Sequence, residues 1–163
     1  MIRVLLTHLF LGLGLANAAQ AQDRAPRAVE GPVEARVVKV RDGDTIEVSA
    51  FVWPMQTVEV AVRLRGIDAP ELRGDCPSEI RAAETARDRL AELVGDGTVR
   101  LHGIEGDKYF GRVLAQISTT SEDDLAAVLL KEGLVDRYDG GKRRDWCAAV
   151  GASGWGARLL GRG

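Results

Sequence analysis

Cysteine, histidine and aromatic residues are all scarce in this chain of 163 residues, with two cysteines, two histidines and 5% aromatics. So few cysteines exclude a disulfide-dense scaffold, in which several bridges stand in for a core. The histidines, His8 and His102, are far apart and accompany neither cysteine, so no zinc-ligand spacing is present. Charge of one sign is lacking too. A formal net charge of −2 excludes a polycation that binds nucleic acid over its whole surface, and an anionic ligand must be drawn by a local patch. After the first residues, no apolar run approaches the ~20 residues that span a bilayer.

What is present is enough apolar residue, 45%, for the core of one domain with attachments. The first residues have the pattern of an export leader. Arg3 gives a positive start, Val4 to Ala16 is apolar apart from Thr7 and His8, and Ala-Asn-Ala and Ala-Gln-Ala follow. Small residues at alternate positions suit signal peptidase, so residues 1–21 are expected to be removed, with cleavage after Ala18 as the alternative. That predicts a periplasmic or secreted protein, without a membrane segment in its mature form and monomeric. In an oxidising compartment Cys76 and Cys147 are expected to form a disulfide, the alternative being two unpaired thiols.

Residues 22–32 carry two prolines and scattered charge and are expected to be a flexible lead-in. Strands are predicted at Val33–Val40, Thr45–Val48 and Thr57–Leu64, with an Asp-Gly turn at Asp42–Gly43 and a proline-bearing loop from Phe51 to Gln56. In the third strand Val58, Val60, Val62 and Leu64 share one face, while Thr57, Glu59, Ala61 and Arg63 share the other. Pro77 and Ser78 open a helix, with Ser78 as its N-cap, that runs to about Val94, and Gly95 stops it. Two more strands, Val99–Ile104 and Arg112–Ile117, flank the turn GDKYFG. A second helix is expected after a Ser121 cap, with Gly133 at its end. This order predicts an α+β, predominantly β domain over 33–147: a five-stranded OB-type Greek-key barrel with two or three helices. The Gly/Ala-rich residues 148–163 are expected to form a tail.

Three acids stand out: Asp44 in DGDT, and Asp68 and Glu71 in GIDAPE. Each alone is an ordinary turn residue. Together they are hard oxygen donors that suit Ca²⁺ or Mg²⁺, with the Ala69 carbonyl available to complete the set. Arg63 on the polar face of the third strand and Arg112 at the hairpin tip add planar donors that match phosphate oxygens. Arg65, Arg73, Lys142, Arg143 and Arg144 extend a positive track or are solvated surface charge. His102, inside a strand pattern, is read as structural.

The segments VRDGDTIEV, RLRGIDAPE and DKYFGRVLA closely resemble the staphylococcal nuclease (thermonuclease) family, with similarity from about Val33 to Tyr138. The resemblance implies an OB-type barrel and Ca²⁺-dependent hydrolysis of DNA and RNA that leaves a 3′-phosphate and a 5′-hydroxyl. It implies Asp44, Asp68 and the Ala69 carbonyl as calcium ligands, and Glu71 as the group that orients or deprotonates water. Arg63 and Arg112 would then stabilise the phosphate in the transition state. Tyr109, Phe110 and Tyr138 are candidates for contact with the nucleic-acid substrate. Where the family has Tyr directly before Gly in this hairpin, the chain carries Phe110 as an extra residue. Either aromatic is positioned to stack on a base or to pack on the hairpin. The ending KRRDWC resembles exported Gram-negative members. A non-catalytic nucleic-acid-binding module on the same fold is the alternative reading; retention of all three acids and both arginines favours the enzyme.

Overall fold

The computed structural model describes residues 27–148. The expected leader, the first part of the lead-in and the tail beyond Ala148 lie outside the described residues. The elements in chain order are β1 (Ala28–Val29), β2 (Val33–Val40), β3 (Thr45–Trp53), β4 (Gln56–Leu64), β5 (Ile67–Asp68), α1 (Pro77–Val94), β6 (Thr98–Gly106), β7 (Arg112–Ser118), α2 (Leu125–Lys131) and β8 (Asp136–Arg137).

Five of these strands close on themselves. The order runs β6, β2, β3, β4, β7, and β7 returns to β6. Every neighbouring pair is antiparallel except β4 and β7, which run parallel. Helix α1 lies in the connection between β4 and β6, as expected of an OB-type barrel. Ala28–Val29, inside the expected lead-in, pairs with Glu105 and Ile104 of β6.

Strand alternation fills the barrel. Ala35, Ile46, Val48, Val62, Leu64, Val99, Leu101, Ala115 and Ile117 are buried, and Leu90 of α1 with Leu125 and Leu129 of α2 closes the core. Burying one such Leu or Ile side chain contributes about 1.5–3 kcal/mol. A bulge between Val37 and Lys39 breaks the alternation of β2 and turns Val38 outward.

The segment from Phe51 to Gln56 is not the expected loop. β3 and β4 pair out to Trp53 and Gln56, so only Pro54 and Met55 turn the chain. Proline suits the first turn position and Met55 takes φ 65°, so the proline that suggested a loop sits at the hairpin tip. The hairpin projects past the core, which leaves Phe51, Val52, Trp53, Met55 and Val58 exposed; Val58 therefore does not share the buried face of Val62 and Leu64.

α1 opens at Pro77 and runs to Val94 as expected, but the cap of each helix differs from expectation. α1 begins at Pro77 with Cys76 as its N-cap and without a side-chain cap, so Ser78 is inside the helix. Proline at the first helical position has no N–H to satisfy. α2 is capped by Asp124, whose carboxylate accepts from the Ala126 and Ala127 amides, in place of Ser121. Gly95, with φ 60°, ends α1 as expected. A disulfide joins Cys76 to Cys147 across 71 residues. Among the described residues no helix is long and apolar enough to cross a membrane.

Candidate active site

The acids and their partners gather where β3 begins and β4 ends. Arg63 pairs with Thr45 across the β3–β4 ladder, which sets its side chain beside Asp44. After Leu64 the chain turns at Gly66 and enters β5, bringing Asp68 to the same place. β8 pairs with β5, setting Asp136 opposite Asp68 and Arg137 opposite Ile67. Gly43 makes the approach of these segments possible. A Cβ there would fall 2.6 Å from the Ala86 Cβ of α1 and 2.9 Å from the Ala69 Cβ.

Asp44 and Asp68 are both 3% exposed, so each carboxylate needs partners to offset its lost hydration. Asp44 Oδ1 accepts from Thr45 Oγ1 at 2.7 Å and from Arg63 Nη1 at 2.8 Å. Its Oδ2 accepts from the Ala69 amide at 3.0 Å. Burial pushes the Asp44 carboxyl up to about 7, and Asp42 adds to this, while Arg63, Thr45 and the Ala69 amide oppose it. Arg63 Nη2 donates to Asp68 Oδ1 at 3.1 Å and to the Ile67 carbonyl at 3.3 Å. One guanidinium thus clamps two buried carboxylates, one in the turn before β3 and one in β5.

A second guanidinium lies on the outer side of the cluster. Arg143 donates from Nε to Asp68 Oδ2 at 2.9 Å, from Nη2 to the Ala69 carbonyl at 3.0 Å and from Nη1 to Glu71 Oε1 at 2.7 Å. Burial lowers its proton affinity and the bonds to Asp68 and Glu71 raise it, with a net upward result. Glu71 itself is largely exposed. Glu79 of α1 fixes the intervening loop by accepting from the Glu71 and Asp75 amides.

Of the residues expected at the site, Asp44, Asp68, Ala69, Glu71 and Arg63 are brought together by direct bonds or through Arg143. Arg112 stands apart from the carboxylates. It pairs with Asp107, and its guanidinium lies 4.7 Å from the centroid of the Tyr109 ring. The parallel register sets Arg112 beside Ala61, two positions before Arg63 on the neighbouring strand, so both arginines issue from the same outward face. Tyr109 is exposed and Phe110 fully so. The Tyr138 amide donates to the Gly66 carbonyl at 2.9 Å, which ties that segment beside β5. Thr45, a buried partner of Asp44, was not singled out by the sequence. Arg143 was, but only as part of a positive track.

The all-oxygen donor set fits a hard divalent cation: Asp44, Asp68, Glu71 and the Ala69 carbonyl are held around cationic groups. Cys76 and Cys147 lie near Glu79, but their sulfurs are joined to each other.

The chain is a closed OB-type barrel with acids and arginines clustered where β3 begins and β4 ends. Among such barrels the chain belongs to the family described as staphylococcal nuclease homologue, which matches residues 61–146. It is 32% identical over 122 residues to endonuclease YhcR of Bacillus subtilis (strain 168), covering 70% of this chain and 10% of that protein. It is 31% identical over 107 residues to an uncharacterized endonuclease of Escherichia coli, covering 66% of this chain and 62% of that one. The chain therefore spans only part of the length of either relative.

Proposed function

We propose that this chain is an exported, calcium-dependent nuclease that hydrolyses phosphodiester bonds of DNA and RNA. The observation that carries this reading is the convergence of Asp44, Asp68, the Ala69 carbonyl and Glu71 beside Arg63 at one end of the β3–β4 hairpin. The endonuclease names of its relatives agree with it.

Asp44, Asp68 and the Ala69 carbonyl would hold Ca²⁺. When bound, the ion would supply Lewis-acid charge at the scissile phosphate. Glu71, two residues beyond Ala69 and exposed to solvent, orients or deprotonates the attacking water. Arg63, fixed by two buried carboxylates, presents its guanidinium edge with little freedom left to lose. Arg112 binds the phosphate from the same outward face and carries part of the charge that develops in the transition state. Tyr109 and Phe110 at the hairpin tip, and Tyr138 beside β5, offer surfaces for the nucleic acid.

Incubation of the purified mature protein with single-stranded DNA, first with Ca²⁺ and then with EDTA, tests the proposal. Cleavage that stops with EDTA and returns with Ca²⁺ is expected. Oligonucleotide binding without turnover in Ca²⁺ would instead identify a binding module.

A further inference from the structure

Arg143 makes three bonds with three different nitrogens, to Asp68 Oδ2, the Ala69 carbonyl and Glu71 Oε1. Two of these acceptors are oxygens assigned above to the calcium ion, and the third belongs to the group assigned to the water. Asp68 divides its carboxylate between two arginines: Oδ1 faces Arg63 and Oδ2 faces Arg143. Arg63 is the more buried of the two, with 18% of its side chain exposed against 42% for Arg143. The guanidinium that can leave is therefore the outer one.

We propose that Arg143 is a built-in competitor of the divalent cation, claiming the same oxygens of Asp68 and Ala69 while tying up Glu71. This rests on the calcium reading of the site. A guanidinium and a divalent ion directed at the same oxygens repel at contact distance through their like charges. Ion binding thus requires Arg143 to swing out, and the same movement frees Glu71 to act on water. The disulfide keeps the competitor near. Cys76 is the fifth residue after Glu71 and Cys147 the fourth after Arg143, so the bridge staples the arginine-bearing segment to the loop it inhibits. An intramolecular contact of this kind acts at high effective concentration.

Calcium titration of the full, chelator-stripped protein by calorimetry tests this, comparing wild type with Arg143→Gln and Arg143→Lys. Arg143→Gln is expected to bind Ca²⁺ about tenfold more tightly, within the usual range of coupling between two ligands, and Arg143→Lys to fall between. Reduction of the disulfide in the wild type should shift affinity in the same direction. Thermal midpoints separate competition from a merely structural contact. Without Ca²⁺ the Gln variant should melt below wild type, and saturating Ca²⁺ should close that gap. Equal or weaker Ca²⁺ affinity in Arg143→Gln, or a gap unchanged by Ca²⁺, overturns the proposal and leaves the calcium reading intact. Absence of Ca²⁺ binding in both proteins overturns the two together.

Discussion

Arg63 binds Asp44 and Asp68 at once, at 2.8 Å and 3.1 Å, and so locks the start of β3 to the end of β4 and to β5. The carboxylates are almost fully buried, so removing Arg63 leaves Asp44 without its guanidinium and Asp68 with Arg143 alone. Arg63→Ala should cost about 3–5 kcal/mol of stability, read as a lower urea midpoint, in addition to losing cleavage.

Arg112 offers a contrast, because its partner Asp107 lies on the β6–β7 hairpin and not among the site carboxylates. Arg112→Ala should reduce cleavage by about 10²-fold or more if its charge stabilises the transition state, while shifting the thermal midpoint far less than Arg63→Ala does. Parallel rate and melting measurements separate the two roles.

Gly43 has no room for a side chain between Ala86 and Ala69. Gly43→Ala should force the DGDT turn away from α1, at about 1–3 kcal/mol, and displace Asp44. Weaker Ca²⁺ binding in a protein that still folds is the expected result, measured by titration calorimetry and circular dichroism.

Burial raises the Asp44 carboxyl from 3.8 to about 7. Between those values the folded protein holds a proton that the unfolded chain has lost, so stability of the metal-free protein should fall as pH rises from about 4 to about 7. Asp44→Asn should remove that slope, and melting curves of both proteins across this window check it.

The bridge between Cys76 and Cys147 closes a long loop, since the cysteines are 71 residues apart. Replacing both by serine should lower stability by roughly 4 kcal/mol in the chain-entropy account, read from denaturant midpoints of oxidised wild type and double variant.

Local chemistry made much of this legible in sequence. β2 has the predicted bounds Val33–Val40, because a valine-rich run there ends before an Asp-Gly turn. DGDT, RGIDAPE and Arg63 stood out because acids beside turn residues on strand ends are unusual in combination. What sequence could not place was decided by non-local contacts. Pro54 looked like the middle of a loop until pairing of Trp53 with Gln56 made it a hairpin tip. Ser121 was the expected cap, but the helix begins three residues later and Asp124 caps it. Arg143 read as one basic residue in KRRD. Its role depends on a fold and a disulfide that bring it back to Asp68 and Glu71, 75 and 72 residues earlier. The spacing of the cysteines from Glu71 and Arg143 was the available signal.

The most direct measurement is the rate of single-stranded DNA cleavage over a Ca²⁺ titration, for wild type and Glu71→Gln side by side. The account predicts a saturable Ca²⁺ dependence in the wild type and a rate lower by about 10²-fold or more in the variant. Equal rates in the two proteins, or cleavage that persists in EDTA, would contradict it.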